Sequence, residues 1–176
     1  MLLLLADGAQ VPVTELPGTG PWTFLVLAAS GAPGPVAGGV AETLTRFGRV
    51  VLPDLRDRPG WGAAPGSPEF LDLVDDLDQV RTRAGLGRPV LVGAGDLVPA
   101  ALQAAADQPW AWRALLLATP VDRPVPTADR DQVDLPVLAV DVRAPLEEVA
   151  EAVAGLLGRL GGGPGWAGIA PDAPPR

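Results

Sequence analysis

The sequence predicts an α/β fold of three layers, in which a mainly parallel, twisted sheet is covered by helices on both faces. Two observations predict it. Short runs that are apolar throughout recur along the chain, as in strands buried on both faces. Segments with helical periodicity alternate with these runs, and a repeated strand–helix order makes neighbouring strands parallel. Residues 1–160 are predicted to form one domain and residues 161–176, rich in Gly and Pro, a tail.

A hairpin followed by five buried strands accounts for the apolar runs. Residues 2–5 and 11–16 flank Asp7 and Gly8, a turn dipeptide that favours an antiparallel hairpin. The buried strands are predicted at residues 22–29, 49–52, 90–92, 113–118 and 137–140. The apolar start of the chain has no preceding basic residues and is interrupted by Asp7, so we interpret it as a strand and not as a targeting segment.

The clearest of the predicted helices spans residues 68–84. Ser67 provides an N-cap, Pro68 occupies the first helical position, and a stripe of apolar residues follows at helical spacing. The opposite face is acidic, and we interpret it as solvated rather than metal-binding. Its carboxylates are those of Asp72, Asp75, Asp76 and Asp78. The other helices are predicted at residues 36–46, 97–107 and 146–160.

Charge and composition exclude several classes of partner. Twenty-one acidic residues against 13 basic ones give a formal charge of -8, which repels the phosphate backbone of nucleic acids. The apolar runs are too short to span a bilayer, so the protein is predicted to be soluble and without a membrane partner. Without cysteine the chain has no disulfide or thiolate metal site, and the cytoplasm is the default compartment. The dominance of Ala, Gly, Pro, Val and Leu is typical of a GC-rich bacterial genome.

Several segments, in this order, resemble the α/β-hydrolase superfamily over residues 1–160. They are Val50-Val-Leu-Pro-Asp-Leu-Arg, Asp72-Leu-Val-Asp-Asp-Leu, Gly85-Leu-Gly-Arg-Pro-Val-Leu-Val-Gly and Trp112-Arg-Ala-Leu-Leu-Leu-Ala-Thr-Pro. In that family a Gly-x-Ser-x-Gly turn between a strand and a helix carries the nucleophilic serine. The resemblance implies the fold predicted above, with such a turn at residues 93–97.

The chain departs from the family at the positions that carry its chemistry. Gly95 stands where the serine is expected, and Ala28-Ala29 replaces the His-Gly step that helps to shape the oxyanion hole. The chain contains no histidine and no cysteine, so neither a Ser-His nor a Cys-His relay can be assembled from it. Only a short link joins the strands at 113–118 and 137–140, where the family often inserts a lid. We therefore expect a truncated, lidless and non-hydrolytic form of the fold.

Carboxylates are the groups that remain for proton transfer. Asp96 is the first catalytic candidate, because the residue after the nucleophile position is expected at the carboxyl ends of the strands, where ligands of such sheets bind. The alternative is that Asp96 only caps the following helix. Asp54 is a second catalytic candidate and Arg56 a substrate-binding one; alternatively, these two residues form a structural ion pair.

Four further residues are candidates for substrate binding. Trp61, in the loop after a strand, could stack on an apolar or cationic ligand. Gly95 and Leu97 belong to the turn itself. Ser30 could donate a hydrogen bond where the oxyanion hole would lie, or be a loop hydroxyl that faces water. No metal site and no cofactor are expected.

The predicted function is a non-hydrolytic step on an apolar small molecule. An isomerase, lyase or cyclase in bacterial specialised metabolism could use the shape of a pocket and one carboxylate, since orientation alone lowers a barrier substantially. The alternative is a non-catalytic pseudoenzyme that binds a ligand or a partner protein. A homo-oligomer, or a partner protein that covers the lidless face or supplies a histidine, is also left open.

Overall fold

The protein is described by a computed structural model that covers residues 1–28, 35–120, 125 and 132–161, without the side chains of residues 35–38. The strands are β1 (Leu2–Leu4), β2 (Gln10–Leu16), β3 (Trp22–Leu27), β4 (Gly48–Pro53), β5 (Val90–Ala94), β6 (Ala114–Thr119) and β7 (Val137–Asp141). The helices are α1 (Pro35–Thr45), α2 (Pro68–Arg83), α3 (Val98–Asp107) and α4 (Leu146–Gly161). The predicted tail begins at residue 161, but Gly161 is the last residue of α4. The rest of that tail, residues 162–176, lies outside the described residues.

The strands form one sheet in the order β1-β2-β4-β3-β5-β6-β7. The hairpin of β1 and β2 is antiparallel, and β2 is antiparallel to β4. From β4 to β7 every pairing is parallel. The predicted hairpin and the predicted, mainly parallel sheet are therefore confirmed.

Helices cover both faces of this sheet, and each face has its own core. Alternation along β3 shows how: Leu25 and Leu27 belong to the core beneath α2 and α3, whereas Phe24 and Val26 belong to the core beneath α1 and α4. All four side chains are buried. Because successive side chains of a strand point to opposite faces, a strand that is apolar throughout must be covered twice. The predicted three-layer sandwich is confirmed.

Helix α2 begins as its sequence predicts. The Oγ of Ser67 accepts a hydrogen bond from the backbone N–H of Phe70, at 3.2 Å, with Pro68 in the first turn. The interpretation of its acidic face needs one correction. Asp76 is 3% exposed and belongs to the buried side of the helix, whereas Asp72 and Asp75 are exposed.

None of the helices in the described ranges is both long and apolar enough to cross a bilayer.

The turn after β5 connects a central parallel strand to a helix. β5 ends at Ala94, residues 95–97 form a 3₁₀ turn, and α3 begins at Val98. Helix α3 packs so closely on β5 that a Cβ atom added to Gly93 would lie 2.6 Å from the Cβ of Ala101. A small residue at position 93 is therefore a packing requirement of this turn.

We predict that Gly93→Ala lowers the free energy of unfolding by about 1–3 kcal/mol, the usual cost of overpacking a core. The matched control is Gly158→Ala in α4, where an added Cβ meets no atom within 4 Å. That substitution should raise stability by about 0.5–1 kcal/mol, because alanine is the better helix former. Urea denaturation of both variants measures the difference. Equal stability of Gly93→Ala and the wild type would contradict the close packing.

Candidate functional site

A pocket of about 160 Å³ lies beside the turn at the carboxyl end of β5. Three elements contribute to it: the loop after β4, the first turns of α2, and the turn that leads into α3. Its lining residues are Gly60, Trp61, Gly62, Ala63, Phe70, Leu73, Asp96, Leu97 and Ala100. The structure thus brings together three of the candidates from the sequence, Asp96, Trp61 and Leu97, in a wall that is otherwise apolar.

The turn itself has the geometry of a nucleophile elbow without a nucleophile. Gly95 has a φ of +60°, a left-handed conformation that glycine adopts without steric cost. A Cβ atom added there would meet nothing within 4 Å, so a side chain at position 95 would have open space. Asp96, the next residue, is exposed, and Leu97 is buried. The N-cap position of α3 belongs to Leu97, one residue after Asp96.

Trp61 lies on the loop after β4, and its side chain lines the pocket. Its side chain is half-buried and packs against the core beneath α2 and α3. The loop folds on itself, since the backbone N–H of Trp61 donates to the carbonyl of Arg58 at 3.2 Å. It also lies directly on α2, because a Cβ atom at Gly60 would overlap the carbonyl oxygen of Glu69. Trp61 is thus held in place by its own loop and by α2.

A buried ion pair anchors the same loop, and the sequence analysis missed it. The guanidinium of Arg58 donates to both carboxylate oxygens of Asp76, at 2.6 and 3.1 Å, and to Asp7 in the β1–β2 turn at 2.7 Å. The hydrogen bonds to Asp76 raise the pKa of Arg58 above its ordinary value. The pKa of Asp7 is lowered, first by the backbone N–H of Ala9 and then by Arg58.

One signal in the sequence could have revealed the burial of Asp76. Position 76 lies three residues after Leu73 and four before Val80, so it shares a helix face with both of these core residues. A carboxylate at such a position needs a cationic partner, because burying an unpaired charge is costly. The partner, Arg58, could not be identified from periodicity, since it lies on an irregular loop.

Asp54 and Arg56 bind each other at the carboxyl end of β4. The Nε and Nη2 atoms of Arg56 donate to the two carboxylate oxygens of Asp54, at 2.8 and 2.6 Å. The side-chain hydrogen bond from Arg56 lowers the pKa of Asp54, and the same bond raises the pKa of Arg56. Neither residue is among those that line the pocket. Their geometry is that of an ion pair between near neighbours in sequence.

The remaining predictions concern Ser30 and metal ligands, and two further tryptophans lie outside the pocket lining. Ser30 lies outside the described residues. In the described part of the chain, no group of three or more His, Cys, Asp or Glu side chains is arranged to hold a metal ion. Trp112 is a core residue whose indole N–H donates to the carbonyl of Ala104 at 3.0 Å. Trp110 is 68% exposed.

Comparison with known proteins finds likeness in structure. No protein-family model matches the chain, and no curated protein does. A membrane phospholipase A described as a novel bacterial virulence factor aligns with a TM-score of 0.62 at 15% identity, over 93% of this chain and 86% of that one. A hydrolase from Pseudomonas aeruginosa PA01 aligns with a TM-score of 0.53 at 22% identity, over 75% and 50%.

A third structure, the enol-lactonase from Burkholderia xenovorans LB400, aligns with a TM-score of 0.51 at 14% identity, over 67% of this chain and 46% of the enol-lactonase. The chain thus spans half or less of the length of the hydrolase and of the enol-lactonase. At these identities the likeness concerns the fold alone. The chain has an α/β-hydrolase fold, and its 176 residues include no histidine.

We predict that Asp76→Ala lowers the free energy of unfolding by about 3 kcal/mol or more, because it leaves the charge of Arg58 buried without its main partner. The double variant Arg58→Met, Asp76→Leu should recover most of this loss, since apolar residues of similar volume remove both charges together. Asp72→Asn, on the exposed face of α2, is the control and should leave stability unchanged. Denaturant unfolding of the variants measures these effects. A single-variant loss no larger than that of the control would show that the pair does not anchor the loop.

We also predict that Arg56→Gln raises the pKa of Asp54 toward the ordinary aspartate value of about 3.9. Since the folded pKa is lowered in the wild type, the ion pair stabilises the fold above that ordinary value, and this contribution is lost as the pH falls through the lowered pKa. NMR titration of the Asp54 carboxyl carbon in both proteins is the measurement. An unchanged titration curve would contradict the ion pair.

Proposed function

We propose that the protein acts on an apolar small molecule in the pocket between Trp61 and Asp96, with the carboxylate of Asp96 as the group that moves a proton. The observation that carries this proposal is the placement of Asp96. It is a carboxylate in an otherwise apolar wall, at the carboxyl end of a central parallel strand and directly after the position where hydrolases of this fold carry their nucleophile.

Hydrolysis through a Ser-His or Cys-His relay is unavailable to this chain, because it contains neither histidine nor cysteine. A carboxylate can instead act as a general base toward an activated C–H bond. In an isomerisation, Asp96 would take the proton from a carbon between a C=C bond and an electron-withdrawing group such as a carbonyl. The electron pair of that C–H bond would form a new π bond to the carbonyl carbon, and the π electrons of the carbonyl would move to its oxygen. As the carbonyl re-forms, the protonated carboxyl would return the proton to the far carbon of the original C=C bond, which thereby moves one position. Atoms and electrons balance without a cofactor.

The class of reaction that we propose follows from the groups that the pocket contains. Isomerase, lyase and cyclase reactions are those in which one proton-transfer group and a shaping pocket suffice. Two apolar aromatic side chains, Trp61 and Phe70, line the pocket and would hold the substrate in a reactive conformation. The abundance of alanine, glycine and proline is typical of a GC-rich bacterial genome, and bacterial specialised metabolism is the setting that we propose for this reaction.

A second candidate function is binding without catalysis, and one observation favours it. Asp96 is the sole ionisable residue among the described lining residues. The other candidate carboxylate, Asp54, is engaged by Arg56. A site with a single carboxylate lacks a separate acid and base, so reactions that need both at once are outside its reach. Such a pocket could equally serve a protein that only holds a ligand.

We predict that Asp96→Asn abolishes turnover, with a loss of at least 10²-fold, while the fold and the binding of the substrate persist. Mass spectrometry of the small molecules that remain bound through purification identifies the substrate or product. Incubation of that compound with the wild type in D₂O should then introduce deuterium at the site of proton transfer, and Asp96→Asn should not. Thermal denaturation checks the fold of each variant.

Trp61→Ala and Asp72→Asn are the accompanying variants. Trp61→Ala should weaken retention of the compound, because it removes one wall of the pocket, and Asp72→Asn should change neither retention nor deuterium uptake. A compound that is retained but is neither converted to an isomer nor labelled with deuterium by the wild type would establish the binding function in place of catalysis. Retention and turnover that survive both pocket substitutions would place the functional surface elsewhere.

A further inference from the structure

We propose that the ligand of this pocket is an organic cation, a protonated amine attached to an apolar group about the size of one six-membered ring. This inference rests on the proposed function and specifies the class of ligand for the same site. A carboxylate has two oxygens, so Asp96 would bind the ammonium group through one and take the proton through the other. It is drawn from the chemistry of the walls, the size of the pocket and the charges around it.

The walls combine aromatic rings with one carboxylate. Trp61 and Phe70 line the pocket, and among the described lining residues Asp96 alone is charged. Indole is the aromatic surface that attracts a cation most strongly, and the attraction adds to that of a carboxylate nearby. An amine in this pocket would be attracted by the indole of Trp61 and by the carboxylate of Asp96, since both line it. A carboxylate or phosphate ligand would meet the repulsion of Asp96.

The volume limits the apolar part of the ligand. Water-excluding apolar cavities of about 150 Å³ are known to admit one benzene molecule. The pocket measures about 160 Å³, so it has room for one ring or a short branched chain and not for a long acyl tail. Leu73, Leu97 and Ala100 supply the aliphatic surface against which such a group would pack.

The charges around the pocket favour a cation as well. Both arginines of the Trp61 loop are already bound by carboxylates, Arg56 by Asp54 and Arg58 by Asp76 and Asp7. Helix α2, which provides Phe70 and Leu73, carries the exposed carboxylates of Glu69, Asp72 and Asp75. Together with a net charge of -8, this arrangement raises the local concentration of cations and lowers that of anions.

The test compares three small probes that share a ring and differ in charge: benzylammonium, benzyl alcohol and benzoate. Dissociation constants come from ¹H–¹⁵N NMR titrations at low salt, with the indole N–H of Trp61 and the backbone N–H of Asp96 as local reporters. We expect benzylammonium to bind about tenfold more tightly than benzyl alcohol, and benzoate most weakly. The preference should shrink in 0.5 M salt, because ions screen the partly exposed charge.

Two pairs of variants separate the contributions. Asp96→Asn should bring benzylammonium to within about twofold of benzyl alcohol. Glu151→Gln, an exposed position of α4 on the other face of the sheet, should retain the preference. Trp61→Leu keeps an apolar wall but removes the aromatic face, so it should weaken benzylammonium more than benzyl alcohol. Trp110→Leu, at an exposed position outside the pocket lining, should have no effect on either probe.

The outcomes distinguish this inference from the proposed function. If benzyl alcohol shifts the Trp61 and Asp96 signals with the same affinity as benzylammonium, the preference for a cation is wrong and the apolar-ligand pocket stands. Tighter binding of benzoate, or a preference that survives in Asp96→Asn, also overturns the inference. If none of the three probes perturbs these signals in the folded protein, the proposed site fails together with the inference.

Discussion

The close packing of α3 on β5 is the constraint on which the site depends. The side chain of Ala101 occupies the space that a Cβ atom at position 93 would need, so the helix can approach the strand only at a glycine. Between the packed strand and helix the chain turns within residues 95–97, with Gly95 in the left-handed conformation. Asp96 and Leu97, which belong to this turn, line the pocket together with Trp61.

The wall of the pocket that the Trp61 loop provides depends on an ion pair and not on close packing. The Trp61 loop has no regular secondary structure, and apolar contacts alone do not define the position of a Pro- and Gly-rich segment. Arg58 supplies the position by binding Asp76 on α2 and Asp7 in the hairpin turn. Removing charges from water is costly, so the value of this pair lies in the single geometry that it specifies more than in net stability. The loop, the hairpin and α2 then form one unit beside the pocket.

The sequence predicts the elements of this fold better than it predicts their contacts. Strands that are apolar throughout and a helix with a Ser67 cap are local signals, and the structure confirms them. That Asp96 and Trp61 line the same pocket is also predictable, because both follow parallel strands whose carboxyl ends share one edge of the sheet. The ion pair of Arg58 with Asp76 is not, since it joins an irregular loop to a helix and no periodicity relates the two. Strand ends differ by up to two residues, as at β5, which is predicted at residues 90–92 and spans Val90–Ala94. The reason is that hydrogen bonding and not hydrophobicity decides where a strand ends.

Glycine at position 95 has a physical consequence for what the fold can do. A serine nucleophile on such a turn is held in a left-handed conformation, and strain of this kind costs about 1–3 kcal/mol, which the surrounding structure must offset. Glycine removes the strain and the reactive oxygen at once, while the packing of α3 on β5 keeps the turn in place. In this chain the turn therefore carries no side chain at position 95, and the residues that follow it, Asp96 and Leu97, line the pocket.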